Sequence, residues 1–288
     1  MTHATRIARY YAFLDRLTQL NVMRSESGSQ AQPIHRALKD PRSPEEGGGP
    51  PSPTIIHRLI REAATLPEAP RVLDAGCGYG ATAFDLQPQT GGTWLGITLS
   101  PIQVQRATAE AARRGVANHL RFALQSYDDP LPGPFDLIIA IESLIHSTNP
   151  AASIANLATH LAPGGQLVIV DDMPEPGLSP EDEADLALFK RMWRCPVAPP
   201  APEWRGALAT AGLTLTHEQD LTPLILLGNP ADLRATRARQ QRRAFWLGLV
   251  GQGLREQADI GGRTLELLHL KGAVRYRLLA ARKEAVLF

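Results

Sequence analysis

The stretch Val72-Leu73-Asp74-Ala75-Gly76-Cys77-Gly78-Tyr79-Gly80 decides the fold. Two β-branched or aliphatic residues run into an aspartate and then into three glycines at alternate positions, the pattern of a buried strand breaking into a tight turn before a helix. Gly76 and Gly78 can bring backbone close to a ligand where a β-carbon would stand in the way. The junction of a strand's C-terminal end with the following helix is the ligand crevice of a doubly wound sheet.

Around this turn, strand and helix patterns alternate at short intervals. Thr54 to Thr65 is expected to be a helix, as is Ala81 to Leu86. TWLGITLS (93–100) reads as the second strand, and IQVQRATAEAARRG (102–115) as a helix closed by Gly115. LRFALQS (120–126) and FDLIIAIES (135–143) read as the third and fourth strands. ASIANLATHLAPGG (152–165) reads as a helix with a glycine exit, and QLVIVDD (166–172) as the fifth strand. The expectation is an α/β, Rossmann-like doubly wound, mostly parallel sheet covered on both faces. After Asp172 the rhythm breaks. Residues 173–205 form a helical insertion, with AGLTLTHEQDLT (211–222) resuming as a strand, a long helix over Asn229 to Leu254, and AVRYRLLAARK (273–283) as a terminal strand.

N-terminal to all this, Ile7, Tyr10, Tyr11, Leu14 and Leu17 recur at helical spacing, and a Ser-, Gly- and Pro-rich stretch ends in PRSPEEGGGPPSP (41–53). Residues 1–53 therefore read as a helix plus a flexible connector or lid, and 54–288 as the main domain.

Thirty Lys and Arg against 29 Asp and Glu give a net charge of +1, which recommends neither nucleic acid nor an anionic membrane as partner. The local run Arg234, Arg237, Arg239, Arg242 and Arg243 reads as the solvated face of a helix. Two distant cysteines, Cys77 and Cys195, argue for a reducing compartment and against a structural zinc site; no metal is expected. No window approaches the roughly 18 uninterrupted apolar residues of a spanning helix, and the first residues lack an apolar signal core. A cytoplasmic chain is expected.

A dinucleotide site would want G-x-G-x-x-G and an acid about 20 residues on. Here the spacing is G-x-G-x-G, and the second strand ends Gly96-Ile97-Thr98-Leu99-Ser100 without an acid, so that reading is poor. VLDAGCGYG resembles the first motif of the class I S-adenosylmethionine-dependent methyltransferases. GITLSPIQVQRA is similar to the second-strand region of the branch holding cyclopropane-fatty-acid synthases, sterol-like and natural-product methyltransferases. FALQSYDDPLPGPFDLIIAIESLIHS and LAPGGQLVIVDD continue the resemblance, which is strong over about residues 55–172 and weak from Gly206 on.

The resemblance implies S-adenosylmethionine as cofactor. It puts Gly76 and Gly78 against the methionine part, with Asp74 ordering the loop or accepting from the amino group. Thr98 and Leu99 would lie by the ribose and adenine, Gln103 on the ribose, and Gln125 and Ser126 near the adenine amino group, with Ser126 departing from the acid more usual there. It also brings the segment after the fourth strand, Glu142 to His146, next to the transferable methyl. A histidine with its ordinary pKa near 6.5 is suited to take a proton at neutral pH. Glu142, four residues earlier, would share its face if the segment turned helically, orienting a substrate donor, stabilising a developing cation, or fixing the His146 tautomer. Asp171 and Asp172 end the fifth strand on the same edge.

In the insertion, Phe189, Met192 and Trp193 share a helical face and, with Trp204, suggest a specificity element for a partly apolar small-molecule acceptor; the same face fits core or a homodimer seam. The implied reaction is C- or O-methylation in specialised metabolism. Two alternatives stay open: cyclopropane-type lipid modification, and a cyclase or noncatalytic cofactor binder on the same fold.

Overall fold

The computed structural model describes residues 33–42, 50–248 and 254–285. The expected helix over Thr5 to Leu20, with Tyr10 and Tyr11, lies outside them.

Seven strands form one sheet in the order β3-β2-β1-β4-β5-β7-β6. They are β1 (Arg71–Ala75), β2 (Thr93–Thr98), β3 (Leu120–Leu124), β4 (Phe135–Ile141), β5 (Leu161–Pro174), β6 (Leu213–Asp220) and β7 (Val274–Lys283). β1 to β5 pair in parallel, while β7 is inserted antiparallel between β5 and β6. The helices are α1 (Thr54–Ala63), α2 (Ala81–Thr90), α3 (Pro101–Arg113), α4 (Pro150–Thr159), α5 (Pro180–Trp193), α6 (Ala201–Thr210), α7 (Pro230–Gly248) and α8 (Leu254–Leu270).

Alternation along the strands sorts the core into two layers. Val72, Leu137, Ile139, Val168 and Val170 face α1 and α2 with Ile56, Ile60 and Leu86. Their neighbours Leu73, Ile138, Ala140, Leu167 and Ile169 face the other way, onto Ile154 and Leu157 of α4 and Trp204 and Leu208 of α6. Both faces of the central strands are buried, hence their continuous apolar runs. Helix starts carry their own signals: the Ser100 and Asn149 side chains accept from Gln103 and Ala152 backbone N–H groups, each with proline next in sequence.

Several expectations need correction. α2 runs on to Thr90, carrying Pro88 inside it. The stretch Leu161–Gly165 is not a helix exit but the start of β5, separated from the main pairing by a register shift opposite Phe135/Leu137. The long helix expected over Asn229 to Leu254 is described as α7 up to Gly248, and α8 and α6 are further helices. Trp204 is core, its indole N–H donating to the Pro199 carbonyl, so it does not belong with the specificity face. The arginine run lies on α7, a largely exposed helix, though Arg237 pairs with Asp185 and Arg243 with Glu256. Among the described residues no helix is long and apolar enough to cross a membrane, and no group of His, Cys, Asp and Glu has the geometry of a metal site.

Residues 33–42 form a strap across the C-terminal edge of the sheet. Leu38 bridges Ser52 on one side and Ile225 on the other and is fully buried, which ties the strap into the first core layer.

Candidate active site

β1 and β4 are adjacent, while β2 and β5 lead away on opposite sides, so the connections after β1 and β4 diverge and leave a crevice at the strand ends. A cavity of about 500 Å³ fills it. Asp74, Gly76, Gly78, Thr98, Leu99, Gln103, Gln125, Ser126, Glu142 and His146 all line this one space, as do Asp171, Asp172 and Trp193. The structure thus brings together the ten residues that the resemblance put at the cofactor and the transferable methyl, while of the insertion's aromatic and methionine candidates only Trp193 reaches this space.

The glycine loop starts at the end of β1, where Gly76 and Cys77 N–H groups donate to the Ile97 carbonyl. Gly76 (φ +100°) is required by packing, since a Cβ there would come within 2.4 Å of Ser143 Cβ. Ser143 Oγ in turn donates to the Ala75 carbonyl at 2.7 Å, which fastens the loop after β4 to the loop after β1. Gly78 (φ +53°) has a different reason: it lines the cavity, and a Cβ would come within 2.8 Å of Ile34 on the strap.

Two buried polar atoms in this half of the cavity lack a hydrogen-bond partner among the described residues. One is Asp74 Oδ2; burial pushes that carboxyl up to about 7. The other is Gln103 Nε2: Thr98 Oγ donates to Gln103 Oε1 at 2.6 Å, so the amide oxygen is used and its N–H₂ is left over. A buried polar group without a partner costs free energy of roughly 1–3 kcal/mol, and such atoms mark where a polar ligand belongs. Gln125 donates to the Pro130 carbonyl, and Ser126 Oγ accepts from the Asp128 N–H. Both therefore shape the wall, and Ser126 retains its own hydroxyl proton.

At the other end of the cavity the geometry departs from the sequence expectation. Glu142 and His146 do not share a helical face. β4 stops at Ile141, Glu142 takes a left-handed backbone (φ +47°), and only Leu144–His146 make a short 3₁₀ turn. A non-glycine residue in this region carries backbone strain, and here it presents a carboxylate to the cavity. Glu142 Oε1 is held by the Arg36 N–H at 3.1 Å and the Tyr276 hydroxyl at 2.8 Å. His146 Nδ1 lies 3.9 Å from Cys195 Sγ.

Arg36 is the residue that sequence reasoning missed most. Its guanidinium grips both oxygens of Asp172, at 3.1 and 2.7 Å, stacks over the Tyr276 ring at 4.6 Å and reaches His269 Nε2 at 2.8 Å. His269 Nδ1 donates to the Val274 carbonyl. Burial alone would push Asp172 up, but Arg36 and His269 more than offset it and hold this carboxyl below its ordinary value. Burial wins at Glu142, against Arg36, and at Asp171, where the Asp172 charge adds to it; both are raised. Asp171 accepts from the Ile145 and Asp172 N–H groups, fixing the turn that carries His146. The only sequence signal for Arg36 was the island IHRALKD (34–40) of apolar and charged residues inside a Pro-, Ser- and Gly-rich stretch.

Trp193 closes the far wall. Its indole N–H donates to the Ala258 carbonyl, and it packs on Gly261, where a Cβ would come within 2.2 Å of the ring. Phe189, on the same face, is buried in the small core between α5 and α8.

A family model described as a methyltransferase domain matches residues 52–218, more than half of the chain; the protein belongs to that family. A probable chloroplastic tocopherol O-methyltransferase of Oryza sativa subsp. japonica is 32% identical over 149 residues, covering 47% of this chain and 41% of the rice protein. The match therefore spans less than half of that relative's length. Among solved structures, a geranyl diphosphate methyltransferase in complex with GPP and sinefungin superposes with a TM-score of 0.69 over 98% of this chain and 99% of the other, at 20% identity. The [4+2]-cyclase SpnF superposes at 0.65 over 88% of each chain, at 21% identity. At these identities the likeness is one of fold.

Proposed function

We propose that this chain is an S-adenosylmethionine-dependent methyltransferase acting on a small, partly apolar organic acceptor, with a hydroxyl as the favoured methyl-accepting group. The observation that carries the reading is the single cavity that begins at Asp74 and the glycine loop, passes Thr98 and Gln103, and ends at Glu142, His146 and Trp193. Its first half offers an amino-acid nucleoside what it needs. Asp74 supplies a carboxylate for an ammonium group, and the Gln103 amide supplies donors for ribose hydroxyls. Leu99, Gln125 and Ser126 supply a mixed wall for a purine. Gly76 and Gly78 let the backbone come close to the amino-acid tail.

When bound, the cofactor supplies an electrophilic methyl group. The chain's own work is to position the acceptor and remove its proton. We assign the proton to a ring nitrogen of His146 and the orienting role to Glu142, whose position is fixed by Arg36 and Tyr276. Domain 54–288 carries the reaction, residues 33–42 cross it as the strap, and 173–205 act as the substrate-side insertion, with Trp193 limiting the acceptor's reach. The hydroxyl preference rests on the printed activities of the curated relatives, several of which are O-methyltransferases. The likeness to a cyclase fold keeps a second reading in view, a cofactor-binding cyclase.

Incubation with methyl-labelled S-adenosylmethionine and a panel of phenols, alcohols and isoprenoid alcohols tests it. Label is expected to move to a hydroxylated acceptor. Saturable cofactor binding with no transfer to any of them would favour the cyclase reading instead.

A further inference from the structure

Beside the glycine loop, but on the strap side of it, lies a hydrogen-bonded chain of side chains that the methyl-transfer reading does not use. His35, on the strap, lines the cavity and places its Nε2 2.9 Å from Nε2 of His57, a buried residue of α1. His57 Nδ1 lies 2.7 Å from Asp85 Oδ2 on α2. His35 Nδ1 lies 3.2 Å from the Arg36 carbonyl, and His57 Nε2 is 3.2 Å from Thr82 Oγ, which also lines the cavity.

Counting protons fixes the charge. A carbonyl oxygen and a carboxylate oxygen only accept, so His35 Nδ1 and His57 Nδ1 must each carry hydrogen. The contact between the two Nε2 atoms needs one more. Two imidazoles thus hold three ring protons, one more than two neutral rings can carry. The His57 ring faces the Asp85 carboxylate at 2.7 Å whereas the His35 ring faces only a carbonyl, so the extra proton sits on His57. The charged groups facing the pair are Asp85 from α2 and Arg36 from the strap. Arg36 is turned to Asp172, and the neighbouring Arg58 of α1 is paired with Asp40. Asp85 is about a third exposed and screened by water on its outer side, so the cavity side sees chiefly the imidazolium. If His57 Nε2–H also reaches Thr82 Oγ, the threonine hydroxyl keeps its own proton for the cavity.

We propose that His57, held protonated between His35 and Asp85, supplies through the Thr82 hydroxyl the positive end of the pocket and binds the α-carboxylate of the cofactor's amino-acid tail. This rests on the reading that the cavity takes S-adenosylmethionine. It divides the zwitterionic tail between two sides of the glycine loop: Asp74 takes the ammonium group, and the histidine pair takes the carboxylate.

The test is calorimetry on the full chain with two probes, S-adenosylhomocysteine and 5′-methylthioadenosine, the second of which lacks the amino-acid tail. His57→Gln and Asp85→Asn are each expected to weaken S-adenosylhomocysteine about tenfold or more, as loss of a charge-assisted hydrogen bond does, and to leave 5′-methylthioadenosine unchanged. Retained binding of the second probe also shows that the variants are folded. Equal weakening of both probes, or no change in either, overturns the proposal. Binding of neither probe by the unaltered chain would instead sink the cofactor reading beneath it. Nitrogen NMR of the histidines near neutral pH gives an independent check: three protonated ring nitrogens in the pair support the proposal, and two contradict it.

Discussion

Asp74 combines complete burial with an oxygen that has no partner among the described residues, and its carboxyl is pushed up from the ordinary 3.8 to about 7. Two consequences follow from linkage. Between about pH 4 and about pH 7 the folded chain binds a proton at Asp74 that the unfolded chain has released, so this group's contribution to stability declines as pH rises through that window and is level above it. A ligand ammonium beside Asp74 favours the ionised form, so binding below about pH 7 expels the proton, and affinity climbs with pH by at most about tenfold per unit. Titrations of S-adenosylhomocysteine across this range should show that rise in the unaltered chain and lose it in Asp74→Asn. His146 is judged by a different readout. Because its role is assigned to the chemical step, His146→Ala should slow single-turnover methyl transfer by about a hundredfold or more while cofactor affinity holds; an unchanged rate would remove it from the chemistry.

For the strap, the governing contact is the buried Arg36–Asp172 pair. Removing one partner of such a pair costs about 3–5 kcal/mol, because the other charge is stranded. Arg36→Met should therefore lower the melting temperature markedly and expose residues 33–42 to protease, and Arg36→Lys should not restore the bidentate grip. Replacing both partners, Arg36→Met with Asp172→Leu, should recover much of the loss; no loss in Arg36→Met alone would mean that the strap is held by Leu38 and its bridges. The pH dependence has a definite sign. Asp172 is held below its ordinary value, so its stabilisation is full above the carboxylate range and is lost as pH falls through and below it. Glu142 and Asp171 are raised and act in the opposite sense, becoming cheaper to bury on acidification. Release of the strap at acid pH, followed by proteolysis, should consequently disappear in the Arg36→Met/Asp172→Leu variant.

Across the molecule, the part legible from sequence was the part in which local chemistry and tertiary environment agree. Strands β1, β2, β4 and β5 are buried on both faces and read as apolar runs, and the turn after β1 announces itself by three glycines, each with positive φ. The residues lining the cofactor side of the cavity follow directly from those strand ends. What was not legible depends on contacts distant in sequence. Arg36 meets Asp172 across 136 residues and His35 meets His57 across 22, and nothing local in the sequence announces either pairing. Glu142 and His146 do line one cavity, but not on one helical face: Glu142 takes a left-handed turn that no glycine announces, and its carboxylate is anchored by Arg36 and Tyr276. The start of β5 was misread because Leu161–Gly165 look like a helix exit, whereas pairing to β4 resumes after a register shift. Helix α6 was hidden by the prolines that precede it at 199 and 200 and mark its first turn at 202.

The central claim is that the crevice between β1 and β4 holds S-adenosylmethionine against the glycine loop. Its most direct test is a calorimetric titration of the chain with S-adenosylhomocysteine, run in parallel on Gly78→Arg, whose side chain would start 2.8 Å from Ile34 on a left-handed backbone and fill the approach to the loop. Saturable binding to one site, abolished in the variant, is the predicted result; absence of saturable binding, or the same affinity in Gly78→Arg, would contradict it.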